Sequence, residues 1–333
     1  MNPFVAGQLH SAIEDIRLLE AFVTAPLGLY SDIKMLRESL PFRDAAELSR
    51  DELRVRRTDF GRLTDKPRQL TLNAISSLRA AVDVFEQVQD DREMAKLREG
   101  WISRARMVIE RSEEHVGGEW RAEIAAKVRG LYVIVDPEAT RGRDVVEIAT
   151  AALKGGVSVL QLRDKTRDKG EVVRVARELR DLCNAHDALF IMNDDADVAH
   201  AAEAHGLHVG QTDLAVGEAR KSLAIHQIVG RSNNGMEQAM ESQQQGADYL
   251  AVGAVYATAT MGKSGRTAIG PDTVRKVKEM VDQPIVAIGG IAESNIADVA
   301  RAGADCVCVV SAVTLADDPE AAAARLLERF DSA

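Results

Sequence analysis

From residue 131 onward the chain is a train of short apolar runs: LYVIVD, SVLQLR, ALFIMN, GLHVG, IVGRS, YLAVGAV, PIVAIGG and CVCVVSAV. Amphipathic segments separate them. Strands buried on both faces read as continuous Val, Ile and Leu rather than as an alternation, and that texture belongs to parallel sheets covered by helices. Eight such strand and helix units in about 200 residues favour a closed barrel over an open doubly wound sheet. No GxGxxG follows any of the runs, which lowers the dinucleotide-binding alternative. The expected fold class is α/β, a (β/α)8 TIM barrel.

Upstream the pattern changes to a helical one. LHSAIEDIRLLEAFV and SDIKMLRESL place apolar residues three and four apart, with Pro26 and Gly28 breaking between them. NAISSLRAAVDVFEQV and DREMAKLREGWISRARMVIE read as a second copy of that pair, because LLEAF resembles DVFEQ and KMLRESL resembles AKLREGW. The polar stretch RDELRVRRTDFGRLTDKPRQ between the copies is expected to be a loop. SEEHVGGEW then interrupts the periodicity with two glycines, so the boundary is placed within residues 112–129. The expected organisation is an all-α domain over residues 1–125 and a barrel over 126–333, and a chain of 333 residues agrees with two domains.

Composition limits the partners. The net charge is −10 and the pI about 5.3, with no long basic block, so no nucleic-acid partner is expected. An anionic ligand must be met by local cations. Cys183, Cys306 and Cys308 form no CxxC pair and are read as core thiols of a reducing compartment. The N-terminal stretch lacks a basic segment followed by an apolar one, and no apolar run approaches the length of about 18 residues that a membrane span needs. A cytoplasmic protein with no membrane partner is expected.

A barrel of this kind carries its site at the C-terminal ends of its strands. Those ends are polar here: QLRDK, MNDD, GQTD, GRSNN, AVYATATMGKSG, IGG and VVSA. Alternation puts Gln161, Arg163 and Lys165 on one face of an extended segment. Asp194 and Asp213 lie just past adjacent strands, where two carboxylates can share Mg²⁺ with phosphate oxygens. Each aspartate taken alone is more often a helix cap. Gly289 and Gly290, with Ser311 and Ala312, fit a phosphate cradle, although a glycine pair also serves in ordinary tight turns. Thr258 and Thr260 are candidate hydroxyl donors.

Taken in order, QLRDK, MNDD, HVGQTD, GADYLAVGAVYATAT, VAIGGI and GADCVCVVSA resemble the thiamine phosphate synthases over about residues 130–330. The resemblance implies a transferase that joins 4-amino-5-hydroxymethyl-2-methylpyrimidine diphosphate to 4-methyl-5-(2-hydroxyethyl)thiazole phosphate and releases pyrophosphate. It implies that Gln161, Arg163, Lys165 and Asn193 hold the pyrimidine diphosphate and that Asp194 and Asp213 hold Mg²⁺. Thr258, Thr260, Gly290 and Ser311 would hold phosphate groups, and Ser232 would neighbour the reacting centre, making Arg163, Lys165 and Ser232 the catalytic candidates. Two departures stand out. The family's TxTK is Thr258-Ala259-Thr260-Met261 here, with Lys263 the nearest substitute cation, and strand five reads GRSNN where a histidine commonly follows the serine. His208 is expected to be a packed barrel histidine, and neither it nor His205 is assigned a catalytic role.

Two other readings compete. A related thiazole tautomerase predicts loss of the diphosphate set and a catalytic histidine after strand five, whereas QLRDK, Asp194 and Asp213 are intact and Asn233 follows Ser232. A non-catalytic phosphate-binding regulator would need only the glycine cradle. The helical segment resembles, more weakly, a small domain proposed to phosphorylate hydroxymethylpyrimidine phosphate, on Glu14, Arg17, Glu20, Leu36 and Arg37. Such residues at helical spacing are more often a solvated face with internal ion pairs. A structural or assembly role is expected, with homo-oligomers forming through this domain.

Overall fold

The computed structural model describes residues 3–40, 67–88, 100–258 and 267–333, which form two compact units, 1–119 and 120–333. The first is helical: α1 (Pro3–Phe22), α2 (Leu27–Glu38), α3 (Pro67–Gln87) and most of α4 (Trp101–Ala125). The three-and-four spacing does what amphipathic spacing does. Leu9, Ile13, Ile16 and Leu19 of α1 meet Ile75, Leu78, Val82 and Phe85 of α3 in one buried core. Arg17 pairs with Glu14 and Arg37 with Glu20, each at 2.6 Å, so these four charged residues are engaged in internal ion pairs.

Three helix limits differ from those expected. The helix α3 starts at Pro67, inside the stretch read as a loop, because proline suits the first helical position, where its missing N–H is not needed. Residues 41–66, which include the rest of that stretch from 50 to 66, lie outside the described residues, as do 89–99, which include residues 91–99 of the fourth helical run. That run does not continue through Gly100, which takes φ +115° as α4 begins at Trp101. Gly117 and Gly118 then fail to break α4. Each glycine costs a helix roughly 1 kcal/mol, and burial of Val108, Ile109 and Val116 outweighs it.

The second unit takes in the last turn of α4. Arg121 Nη1 donates to the Ile225 carbonyl at 2.7 Å, and the Trp120 ring stacks on His226 at 4.5 Å. Eight parallel strands follow: β1 (Gly130–Val135), β2 (Val159–Leu162), β3 (Leu189–Asn193), β4 (Gly206–Val209), β5 (Ile228–Asn233), β6 (Tyr249–Val252), β7 (Ile285–Ile288) and β8 (Cys306–Val309). They pair in sequence order, and β8 pairs back to β1 to close the barrel. The intervening helices are α5 (Val145–Lys154), α6 (Lys169–Ala185), α7 (Ala196–Ala201), α8 (Val216–Lys221), α9 (Met236–Gln244), α10 (Pro271–Lys278) and α11 (Ile296–Arg301). The chain closes with α12 (Ser311–Thr314) and α13 (Pro319–Asp331). Asp144, Asp168 and Asp318 cap α5, α6 and α13 by accepting backbone N–H bonds.

Alternation sorts the strand residues into two cores. Leu131, Val133 and Val135 of β1 pack with the helices, while Tyr132 and Ile134 join Val159, Ile191, Ile228, Tyr249, Val286 and Cys308 inside the barrel. The inner core is crowded on one side. A Cβ on Gly230 would lie 2.0 Å from the ring of Tyr249, its register partner, so the ring occupies the space that glycine leaves. All three cysteines are buried. Among the described residues, no helix is long and apolar enough to cross a membrane.

Candidate active site

The strand ends bring the predicted residues to one mouth of the barrel, arranged as two adjoining cavities. Tyr132, Gln161, Arg163, Asn193, Asp194, His208, Asp213 and Ser232 line the first. Ser232, Asn234, Thr258, Gly289, Gly290, Val310 and Ser311 line the second. Ser232 belongs to both.

Arg163, which lines the first cavity, and Lys165, which does not, are both already held. Arg163 pairs with Asp136, a fully buried carboxylate at the end of β1 that also accepts the Glu138 N–H at 2.9 Å. Lys165 Nζ stands 2.9 Å from Asp194. Between them Asp164 turns away from the cavity and ties down the loop, accepting from Thr166 and Arg167. Burial pushes the Asp164 carboxyl up, and those bonds more than reverse the effect and hold it below its ordinary range. Buried Gln161 donates to Asn193 at 3.4 Å, which orients both amides at the cavity wall.

Asp194 and Asp213 lie close enough to interact. Asp194 adopts φ 60°, a left-handed conformation that aspartate tolerates, and its N–H donates to the His208 carbonyl at 2.9 Å. Asp213 accepts the Gly210 N–H at 2.9 Å, and a Cβ on Gly210 would lie 2.7 Å from the same carboxylate oxygen. The Asp213 carboxyl is pushed up by burial and, further, by the hydrogen bond and negative charge of Asp194, a combined effect that outweighs the Gly210 bond and the Lys165 charge. Neither aspartate caps a helix here. Two hard carboxylates brought side by side form a donor set that suits Mg²⁺ completed by phosphate oxygens.

The second cavity is built from backbone. Gly289 and Gly290 take φ +103° and +64°, and a Cβ on Gly290 would lie 2.6 Å from the Ala257 carbonyl, so only glycine fits. Asn295 secures this turn by donating to the Gly290 carbonyl at 3.0 Å. Ser311 is exposed at the rim, whereas Ala312 packs against the core between barrel and helices. Thr260, Met261 and Lys263 lie outside the described residues.

A family model described as thiamine monophosphate synthase matches residues 131–313, the span that supplies every one of these groups. The chain belongs to this family. A thiamine-phosphate synthase of Shouchella clausii is 43% identical over 206 residues, covering 61% of this chain and 97% of that protein. One from Thermobifida fusca is 45% identical over 205 residues, covering 61% and 93%. Among solved structures, a thiamine phosphate pyrophosphorylase from Pyrococcus furiosus is similar, with TM-score 0.58, 35% identity, and coverage of 63% of this chain and 98% of that one. Membership makes the chain a transferase of thiamine biosynthesis.

Two residues, Asp136 and Tyr249, escaped the sequence reading, and a third, His208, was read only as packing. Asp136 closes LYVIVD and looks there like any charged strand end. His208 was expected only to pack, yet its Nε2 lies 2.9 Å from Ser232 Oγ and its Nδ1 3.1 Å from the Tyr249 hydroxyl. Tyr249 is fully buried, and the only signal for it in the sequence is the glycine it faces. His205 is a packed residue: its Nδ1 accepts the Phe190 N–H at 2.9 Å, and burial pushes its pKa down to about 4.

Proposed function

We propose that the barrel joins 4-amino-5-hydroxymethyl-2-methylpyrimidine diphosphate to 4-methyl-5-(2-hydroxyethyl)thiazole phosphate, releasing pyrophosphate, with Mg²⁺ as cofactor. The observation that carries this reading is the pair of cavities meeting at Ser232. One has Arg163 and two carboxylates in its wall, with Lys165 paired to one of those carboxylates, as a metal-bound diphosphate requires, and the other has the glycine cradle that a single phosphate requires. Two anionic substrates laid in them would bring their reacting ends together at Ser232.

The residues then have separate tasks. Gln161 and Asn193 hold the aminopyrimidine end, while Arg163 and Lys165 neutralise charge that grows on the departing pyrophosphate, so their effect is greatest in the transition state. Mg²⁺, held by Asp194 and Asp213, would supply further charge neutralisation on the same phosphates. Ser232 donates a hydrogen bond at the breaking carbon–oxygen bond. Thr258, Gly289, Gly290 and Ser311 fix the thiazole phosphate so that its ring nitrogen faces the pyrimidine carbon, a proximity effect that needs no protein nucleophile. The electron pair of the broken bond leaves with pyrophosphate, and the nitrogen lone pair forms the new bond.

A tautomerase reading gains nothing from the geometry. Asn233, next to Ser232, is buried in the wall, donating to the Arg231 and Ala251 carbonyls and accepting from Ser242. For the helical unit we propose a structural role with assembly through its surface, and for the chain a cytoplasmic location. The test of the assignment is incubation of the purified chain with both substrates and Mg²⁺, following thiamine phosphate and pyrophosphate. Equal amounts of the two products are expected, and absence of both refutes the reading.

A further inference from the structure

Ser232 is the upper end of a chain of hydroxyl and imidazole groups, half-buried at Ser232 and His208 and buried at the two tyrosines. Its Oγ lies 2.9 Å from His208 Nε2, His208 Nδ1 lies 3.1 Å from the Tyr249 hydroxyl, and that hydroxyl lies 3.2 Å from the hydroxyl of Tyr132. The four residues come from β5, β4, β6 and β1, so the chain crosses the inside of the barrel. Tyr249 can lie across it because its register partner is Gly230.

Such a chain can order its protons in two senses. Running downward, Ser232 donates to Nε2, Nδ1–H donates to Tyr249, and Tyr249 donates to Tyr132. The Tyr132 proton is then left over. That residue is 2% exposed and, among the described residues, its hydroxyl has Tyr249 as its hydrogen-bond partner. Running upward, Tyr132 donates to Tyr249, Tyr249 donates to Nδ1, and Nε2–H donates to Ser232 Oγ. Every proton is then used, and the serine hydroxyl proton is free to point into the cavity. A buried polar group without a partner is the costlier arrangement. Burial pushes both phenols well up, so both remain donors at any working pH.

We propose that Tyr132, Tyr249 and His208 are positioning residues that hold His208 as the neutral Nε2–H tautomer and aim the Ser232 hydroxyl at the oxygen leaving the pyrimidine carbon. The proposal rests on the reading of Ser232 as the residue at the reacting centre. No proton changes owner; the relay sets only which way Ser232 donates. Tyr249 and His208 act through Ser232, so removing the serine must also remove their effect.

Two measurements on the full chain test this. Nitrogen-15 NMR of histidine-labelled protein, with the His208 signals assigned by their loss in His208→Gln, is expected to show Nε2 protonated and Nδ1 bare. An Nδ1–H tautomer in the wild type overturns the relay. Steady-state kinetics with both substrates and Mg²⁺ then give the functional arm. Tyr249→Phe keeps the ring beside Gly230 and is expected to lower kcat roughly twofold to tenfold, the scale of one neutral hydrogen bond, with both KM values nearly unchanged. His208→Gln, whose amide N–H can replace Nε2–H toward Ser232, is expected to retain more activity than His208→Leu. In a Ser232→Ala background, Tyr249→Phe and Tyr132→Phe are expected to have no further effect. Additive losses there overturn the relay alone, whereas wild-type turnover in Ser232→Ala overturns the reading of Ser232 beneath it.

Discussion

Replacing Asp136 by asparagine separates the orientation of Arg163 from its charge. Asp136 is fully buried and holds both the Arg163 guanidinium and the Glu138 N–H. Removing one partner of a fully buried ion pair costs about 3–5 kcal/mol. Two facts reduce that figure. Arg163 is 23% exposed and can find water, and asparagine keeps an acceptor for the Glu138 N–H. A cost of about 2 kcal/mol remains, in the range of a hydrogen bond to a charged group, and for a barrel of this size it corresponds to a melting temperature lower by roughly 4–8 °C. The kinetic effect is smaller than that of losing the arginine. A guanidinium released from Asp136 must be ordered by the substrate itself, at about 0.5–1.5 kcal/mol for one long side chain, which is roughly twofold to tenfold in kcat/KM. Arg163→Ala forfeits the whole charge-assisted contact, about 1.5–3 kcal/mol, or roughly tenfold to a hundredfold. Thermal unfolding followed by circular dichroism, with pyrophosphate release for the rates, measures both. Equal kinetic losses in Asp136→Asn and Arg163→Ala would show that the carboxylate does more than orient its partner, and an unchanged melting temperature in Asp136→Asn would refute the pairing argument.

Asp213 gives a prediction whose sign follows from its raised pKa. A carboxyl that binds its proton more tightly in the fold adds stability at low pH and loses it as pH rises from the ordinary value of 3.8 through the raised one. Asp213→Asn should therefore flatten the metal-free melting curve over that interval and move half-activation by Mg²⁺ to higher concentration; an unchanged metal requirement would remove it from the site. A fragment of residues 120–333 should retain synthase activity, and one of residues 126–333 should melt at lower temperature because it lacks the Trp120 stack on His226 and the Arg121 bond to Ile225; equal melting would show those contacts to be idle. Lys263→Ala should reduce activity about tenfold if this lysine replaces the family cation, with partial recovery on adding Met261→Lys; near-normal activity in Lys263→Ala rules the substitution out.

The eight strands could be read from the sequence because a parallel strand covered on both faces has nowhere to put a polar residue until it ends. That rule also exposed the site, since Gln161, Asn193, Asp194 and Ser232 are conspicuous where the apolar runs stop. It could not show which side chains meet across the barrel. Asp136 with Arg163, and His208 with Tyr249 and Ser232, join residues separated by 24 to 41 positions, and pairing at that range follows from closure and register rather than from local pattern. The glycines misled in the other direction: Gly117 and Gly118 carry a local helix penalty that the packing of α4 overrides.

The fit of Tyr249 against Gly230 bears on how the chain finds its alignment. A shift of β6 by one residue along β5 would set the tyrosine against Val229 or Arg231, whose side chains leave no gap for a ring, and would turn the apolar faces of the strand the wrong way round. One bulky residue and one absent side chain therefore act as a key and its slot midway round the barrel. Only the correct seam admits closure, and the same seam sets the height at which β4, β5 and β6 present their polar ends.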